Sequence, residues 1–142
     1  NVASVTSIIN VTTPGTVAGV SLVDLMISSP WIGDLGATLT SPQGTSVQLF
    51  DGPGIPASQY GCSGDDIDVS FDDAAVLSST DFENMCNNAP AISGTFQPMA
   101  VLSAFNGENV VGNWTLTILD SYTASDDGTL DGWGLNICLT QY

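Results

Sequence analysis

The chain of 142 residues carries thirteen Asp and two Glu against no Lys, Arg or His, for a formal net charge of -15. No side-chain salt bridge can form, and Ser-His-Asp, Cys-His and His-zinc sites are excluded because the general base or the imidazole ligand is missing. The lack of cations also argues against nucleic acid and acidic membrane surfaces as partners, since both recruit positive charge.

At 43% apolar and 11% charged residues, the chain holds enough material for one core and is read as a single domain over 1–142. No apolar run reaches the roughly 18 residues of a membrane span, and the sequence is read as a mature fragment without a signal peptide. Stretches rich in Val, Ile, Leu and Thr alternate with Gly, Pro, Asn and Asp, with no helical stripe, which predicts an all-β fold. The predicted strands cover 3–11, 19–27, 35–40, 46–50, 67–71, 102–105, 113–119 and 132–139. Alternation in the second puts Val20, Leu22 and Asp24 on one face and Ser21, Val23 and Leu25 on the other, which suits a central strand. Ser41-Pro42-Gln43-Gly44, with Pro second and Gly fourth, predicts a type I turn between the third and fourth strands. Eight such strands need their apolar faces covered, which favours a two-sheet sandwich.

The fifth strand places Ile67, Val69 and Phe71 on one face and Asp66, Asp68, Ser70 and Asp72 on the other, with Asp65 and Asp73 flanking it. Two carboxylates about 4 Å apart repel by about 4 kcal/mol at an effective dielectric of about 20, so such a cluster calls for a cation or a shifted pKa. Short Asp side chains in loops suit calcium, although Asp is equally a turn former. The last two strands are read as a hairpin whose loop holds Asp126, Asp127 and Asp131 and faces Asp120, a second oxygen-rich locus. Neither segment has EF-hand spacing. Paired carboxylates of the glycosidase kind are the only catalytic chemistry left open.

Cys62 and Cys86 bracket the Asp-rich segment. A disulfide between them would contribute about 3 kcal/mol and imply an oxidising compartment, the alternative being three separate buried thiols. Cys138 is left over. Trp114 and Trp133 fall at regular strand positions and read as core, whereas Trp31, after Pro30, is a loop residue that with Tyr60 and Tyr122 is a candidate contact for an extracellular polymer. Asn10-Val11-Thr12 and Asn113-Trp114-Thr115 fit the glycosylation acceptor pattern and are read as structural.

Five blocks carry a family resemblance: Trp31 to Thr45 with Val47-Gln48-Leu49-Phe50, Val69 to Ala75, Leu102 to Gly107, Gly112 to Leu116, and Asp127 to Leu135. In this order they resemble the P domain, or P/Homo B domain, and Gly61 to Asp66 with Ile137-Cys138 resemble its bacterial branch. The resemblance implies an eight-stranded jelly-roll sandwich, secreted by bacteria, that follows the catalytic domain of a subtilisin- or kexin-like serine protease. Such a module has no catalytic residues, and it supports the folding, stability or substrate contact of the protease domain in the same polypeptide. Calcium is the cofactor implied. Its candidate ligands are Asp34, Asp72, Asp73, Asp120 and Asp127 from the matching blocks, with Asp66 and Asp126 added from the local argument. The alternative is a calcium-dependent extracellular module binding collagen or polysaccharide. P domains usually hold some basic residues, and this chain departs from that pattern.

Overall fold

The computed structural model describes residues 3–55, 59–121 and 128–140. Strands β1 (Ala3–Val11), β2 (Thr16–Ser28), β3 (Leu35–Thr40), β4 (Ser46–Asp51), β5 (Ile67–Phe71), β6 (Ile92–Phe96), β7 (Gly112–Asp120) and β8 (Thr129–Thr140) form two four-stranded sheets, ordered β1-β7-β3-β4 and β6-β5-β2-β8. All pairs are antiparallel except β5 with β6. The sandwich expected from the sequence is therefore present, with β2 central in its sheet. Gly44 N–H donates to Ser41 O at 3.0 Å, closing the predicted turn between β3 and β4.

Inward residues of the two sheets meet in one core. Phe82 packs among Phe50, Phe71 and Phe96 at centroid distances of 4.8, 5.5 and 5.3 Å, tilted against the first two and edge-on to the third. Phe105 meets Trp114 edge-on at 5.1 Å, and the buried indole N–H of Trp114 donates to Val110 O at 3.0 Å. Trp133 packs half-buried against the same core. Asn10 Nδ2 donates to Asn113 Oδ1 at 2.7 Å across paired strands, so both acceptor-pattern asparagines have structural partners.

Five local expectations are corrected. Leu102–Phe105 is a 3₁₀ turn, not a strand, and it buries Leu102 and Phe105. Residues three apart eclipse in a 3₁₀ helix, so this spacing fills one side without alternation. The eighth strand is instead β6, where Ile92 and Phe96 are buried around an exposed Ser-Gly-Thr and Gly94 takes φ 124°. A short helix, α1 (Ser79–Asn84), is also present, started by a reciprocal capping box: Ser78 Oγ accepts from Asp81 N at 3.1 Å and Asp81 Oδ2 accepts from Ser78 N at 2.8 Å.

In β2, Asp24 adopts φ 55° and the register slips, so Leu22 and Leu25 are both buried rather than opposed. Lastly, β7 and β8 are not a hairpin: they belong to different sheets.

Cys62 and Cys86 form the expected disulfide, with Cα atoms 5.8 Å apart and a sequence separation of 24, while Cys138 is free and exposed. The bridge ties the segment before β5 to the end of α1. Replacing both cysteines by Ala is expected to lower unfolding stability by about 3 kcal/mol, measured by urea denaturation.

Candidate functional site

The five candidate ligands among the described residues do not converge on one point. Asp73 sits after β5, where its two carboxylate oxygens accept the backbone N–H groups of Leu102 at 2.8 Å and Ser103 at 2.9 Å, capping the 3₁₀ turn from a distant segment. Asp72 Oδ1 accepts Ala74 N at 2.9 Å in a local turn. Asp66 takes φ 75°, leaves the strand phase, and accepts Ser29 N at 3.0 Å while its own N–H donates to Ser29 O at 3.2 Å. The single acidic face expected for β5 is thus split, with Asp68 exposed on the outer face and its neighbours drawn to separate backbone amides.

Asp34 and Asp120 do come together. Asp120 pairs with Leu35 at one end of the first sheet, next to Asp34, whose carbonyl accepts Ser121 N–H at 2.9 Å. Asp126, Asp127 and Tyr122 lie outside the described residues. Among the described residues, no group of three or more His, Cys, Asp or Glu side chains stands close enough to hold a metal ion.

Trp31 and Tyr60 are adjacent, the indole N–H of Trp31 donating to Tyr60 O at 2.9 Å. Gly33 makes that contact possible: a Cβ there would lie 2.7 Å from Tyr60 O and Cys62 N, and its own N–H bonds Cys62 O at 2.9 Å. The Tyr60 side chain is left 63% exposed.

One chemically distinct residue escaped the sequence reading. Glu83 in α1 has its Oε2 buried with no hydrogen-bond partner among the described residues. Burial first, and repulsion from Asp51 second, push its carboxyl up from 4.5 to about 7. Nothing in Asp81-Phe82-Glu83 announces this, because the burial follows from Phe82 anchoring the helix on the core.

The family model for the proprotein convertase P-domain matches residues 19–137. The chain belongs to the proprotein convertase P-domain family. This P domain also resembles two solved structures in fold. One is the serine protease of Aeromonas sobria in complex with a chaperone, at 18% identity and TM-score 0.54. The other is a structure titled as the serine protease of Aeromonas sobria, at 19% identity and TM-score 0.52. Each match covers 93% of this chain and 22% of the other, so the P domain spans about a fifth of the chains it resembles. No curated protein matches it in sequence. No helix among the described residues is long and apolar enough to cross a membrane.

Because the folded P domain holds the Glu83 proton more tightly than the unfolded chain, stability from the protonated form is fully present below pH 4.5 and is lost as the pH rises through about 7. Glu83→Gln is expected to flatten that dependence. It should stabilise the domain at about pH 8 by about 1 kcal/mol, after discounting for partial solvent access, as read by urea unfolding at about pH 5 and about pH 8.

Proposed function

We propose that this chain is a non-catalytic accessory domain of a secreted bacterial serine protease, supporting the folding and stability of the catalytic domain in the same polypeptide. The observation that carries this reading is an apolar surface built on two adjoining segments. Residues 73–77 and 97–103 run side by side, joined by Asp73 to Leu102 and Ser103, by Gln97 N to Leu77 O at 2.8 Å, and by Gln97 Nε2 to Ala75 O at 2.8 Å. From this pair of segments Val76, Leu77, Met99 and Val101 project into solvent, Val76 being 98% exposed. Exposed apolar side chains gathered on adjoining segments mark an interaction site, and a catalytic domain is the partner we propose for it. The lack of His and Lys supports a non-catalytic role, since neither general base of the usual nucleophilic sites is present.

The intact protease tests this. Val76→Asp is expected to leave the isolated domain folded but to lower the yield of active parent enzyme at least about tenfold, since about 1.4 kcal/mol of lost docking is a factor of ten. Unchanged yield would remove this surface from the reading.

Calcium belongs to the same proposal. We place it at the Asp34 and Asp120 end, with Asp126 and Asp127 the next acidic residues along the chain. Asp66, Asp72 and Asp73 lie on separate segments and each accepts backbone amides. At about 10 mM calcium, a site of the affinity usual for extracellular modules is expected to raise stability by about 2 kcal/mol over a chelator control, and Asp120→Asn is expected to remove that increment. An identical melting temperature with calcium and with chelator would discard the metal.

A second reading rests on Trp31 and Tyr60. Their hydrogen-bonded pairing with an open Tyr60 ring favours contact with an extracellular polymer such as collagen or polysaccharide, where flat aromatic surface is the usual recognition element.

A further inference from the structure

Among the described residues, the opposite edge of the sandwich is left open. Among the described residues β1 pairs with β7 alone and β8 with β2 alone, so each is the outer strand of its sheet, and both lie on the same side of the molecule. They are linked there by Trp133 Nε1 donating to Ser7 Oγ at 2.9 Å. Between them runs an open groove of about 480 Å³, lined by Val5, Ser7, Leu130, Asp131 and Trp133 among others. Val5 pairs across the strands with Ile118, a core residue, so it occupies an inward-facing position, yet it is 48% exposed. An interior position half open to water lacks part of its packing.

The two edges are unequal as templates. The β1–β7 ladder runs without interruption from Ala3 opposite Asp120 to Val11 opposite Gly112, so the outer side of β1 presents a regular row of backbone donors and acceptors. Of the three register slips between β2 and β8, two insert the extra residue into β2 and one inserts Asp131 into β8, so the outer row of β8 is interrupted at Asp131. Charge then selects the occupant. Asp131, held by the hydroxyls of Ser28 and Thr129, lies in the groove, and the chain has no cation of its own to meet it. A second copy would bring a further -15 to the same edge.

We propose that the free edge of β1 binds an extended segment of a basic partner polypeptide by strand addition. An apolar side chain enters the groove between Val5 and Trp133, and a neighbouring Lys or Arg reaches Asp131. This surface lies away from the Val76 surface and does not depend on it.

The test titrates a fluorescein-labelled ten-residue peptide of alternating valine and lysine into the 142-residue chain, followed by anisotropy. A peptide of equal charge with glycine replacing valine is the control. The valine peptide is expected to bind at least about tenfold tighter than the control, to lose about tenfold with Val5→Asp, and to lose about threefold with Asp131→Asn. Hydrogen exchange on the unmodified chain should slow at β1 amides only when the valine peptide is present, which serves if Val5→Asp does not fold. Val76→Asp is expected to change none of these values. Equal binding of both peptides, or no protection at β1, overturns the proposal. Sedimentation showing a dimer of the free chain with β1 already protected would assign the edge to a second copy and overturn it equally.

Discussion

Carboxylates in this molecule are answered by hydrogen-bond donors that carry no charge, and the rest of the structure is arranged around that substitution. Asp73 accepts two backbone amides, Asp66 and Asp72 accept one each, and Asp81 closes a capping box. Glu108 takes Ser41 Oγ and Thr45 Oγ1, each at 2.6 Å, and so fastens the turn between β3 and β4. A carboxylate accepting N–H or O–H groups forms the stronger, charge-assisted kind of hydrogen bond while avoiding the ordering of a long cationic side chain. The contacts of Asp66, Asp73 and Glu108 join segments distant in sequence, whereas those of Asp72 and Asp81 close a local turn and a helix start. In this way the acidic residues define the conformation of the segments that the sheets leave undefined. Glu83 differs: its buried oxygen has no such donor among the described residues, and burial together with Asp51 pushes its carboxyl up to about 7.

The sheet framework was largely legible because it depends on alternation. Ile67, Val69 and Phe71 face inward as their period of two requires, and β1, β3 and β5 begin and end where the punctuation places them. Alternation failed where the backbone departs from regular geometry. Asp24 at positive φ shifts the phase in β2, and Gly94 masks the inward pair Ile92 and Phe96 in β6. Leu102 and Phe105 satisfy the core from a turn that a strand template cannot represent. The supposed hairpin failed for a different reason: two strands consecutive in sequence need not be neighbours when each sheet has a free position across the core.

The disulfide was legible because two cysteines flanked a polar segment, and the family resemblance because five blocks kept their order. The acidic residues were less so. Sequence places Asp66, Asp68 and Asp72 in one alternating row, but Asp66 accepts Ser29 N just after β2, Asp72 accepts Ala74 N in the following turn, and the neighbouring Asp73 meets the 3₁₀ segment, a proximity that is a product of the fold. The adjacency of Asp34 and Asp120 likewise exists only because β3 and β7 pair across about half the chain. Local composition tells which residues are acidic; tertiary pairing decides which amides they meet.

The strands nearest the start of the sequence pair with those nearest its end. β1 needs β7, and β2 meets β8 from Thr16 opposite Thr140 to Ser28 opposite Thr129. Closure of both sheets therefore waits until β8 has left the ribosome, and little of the topology is local enough to form early. During that interval the emerging apolar strands are open to mispairing with other nascent chains. Mutual repulsion between uniformly anionic copies keeps them apart until the final strand arrives.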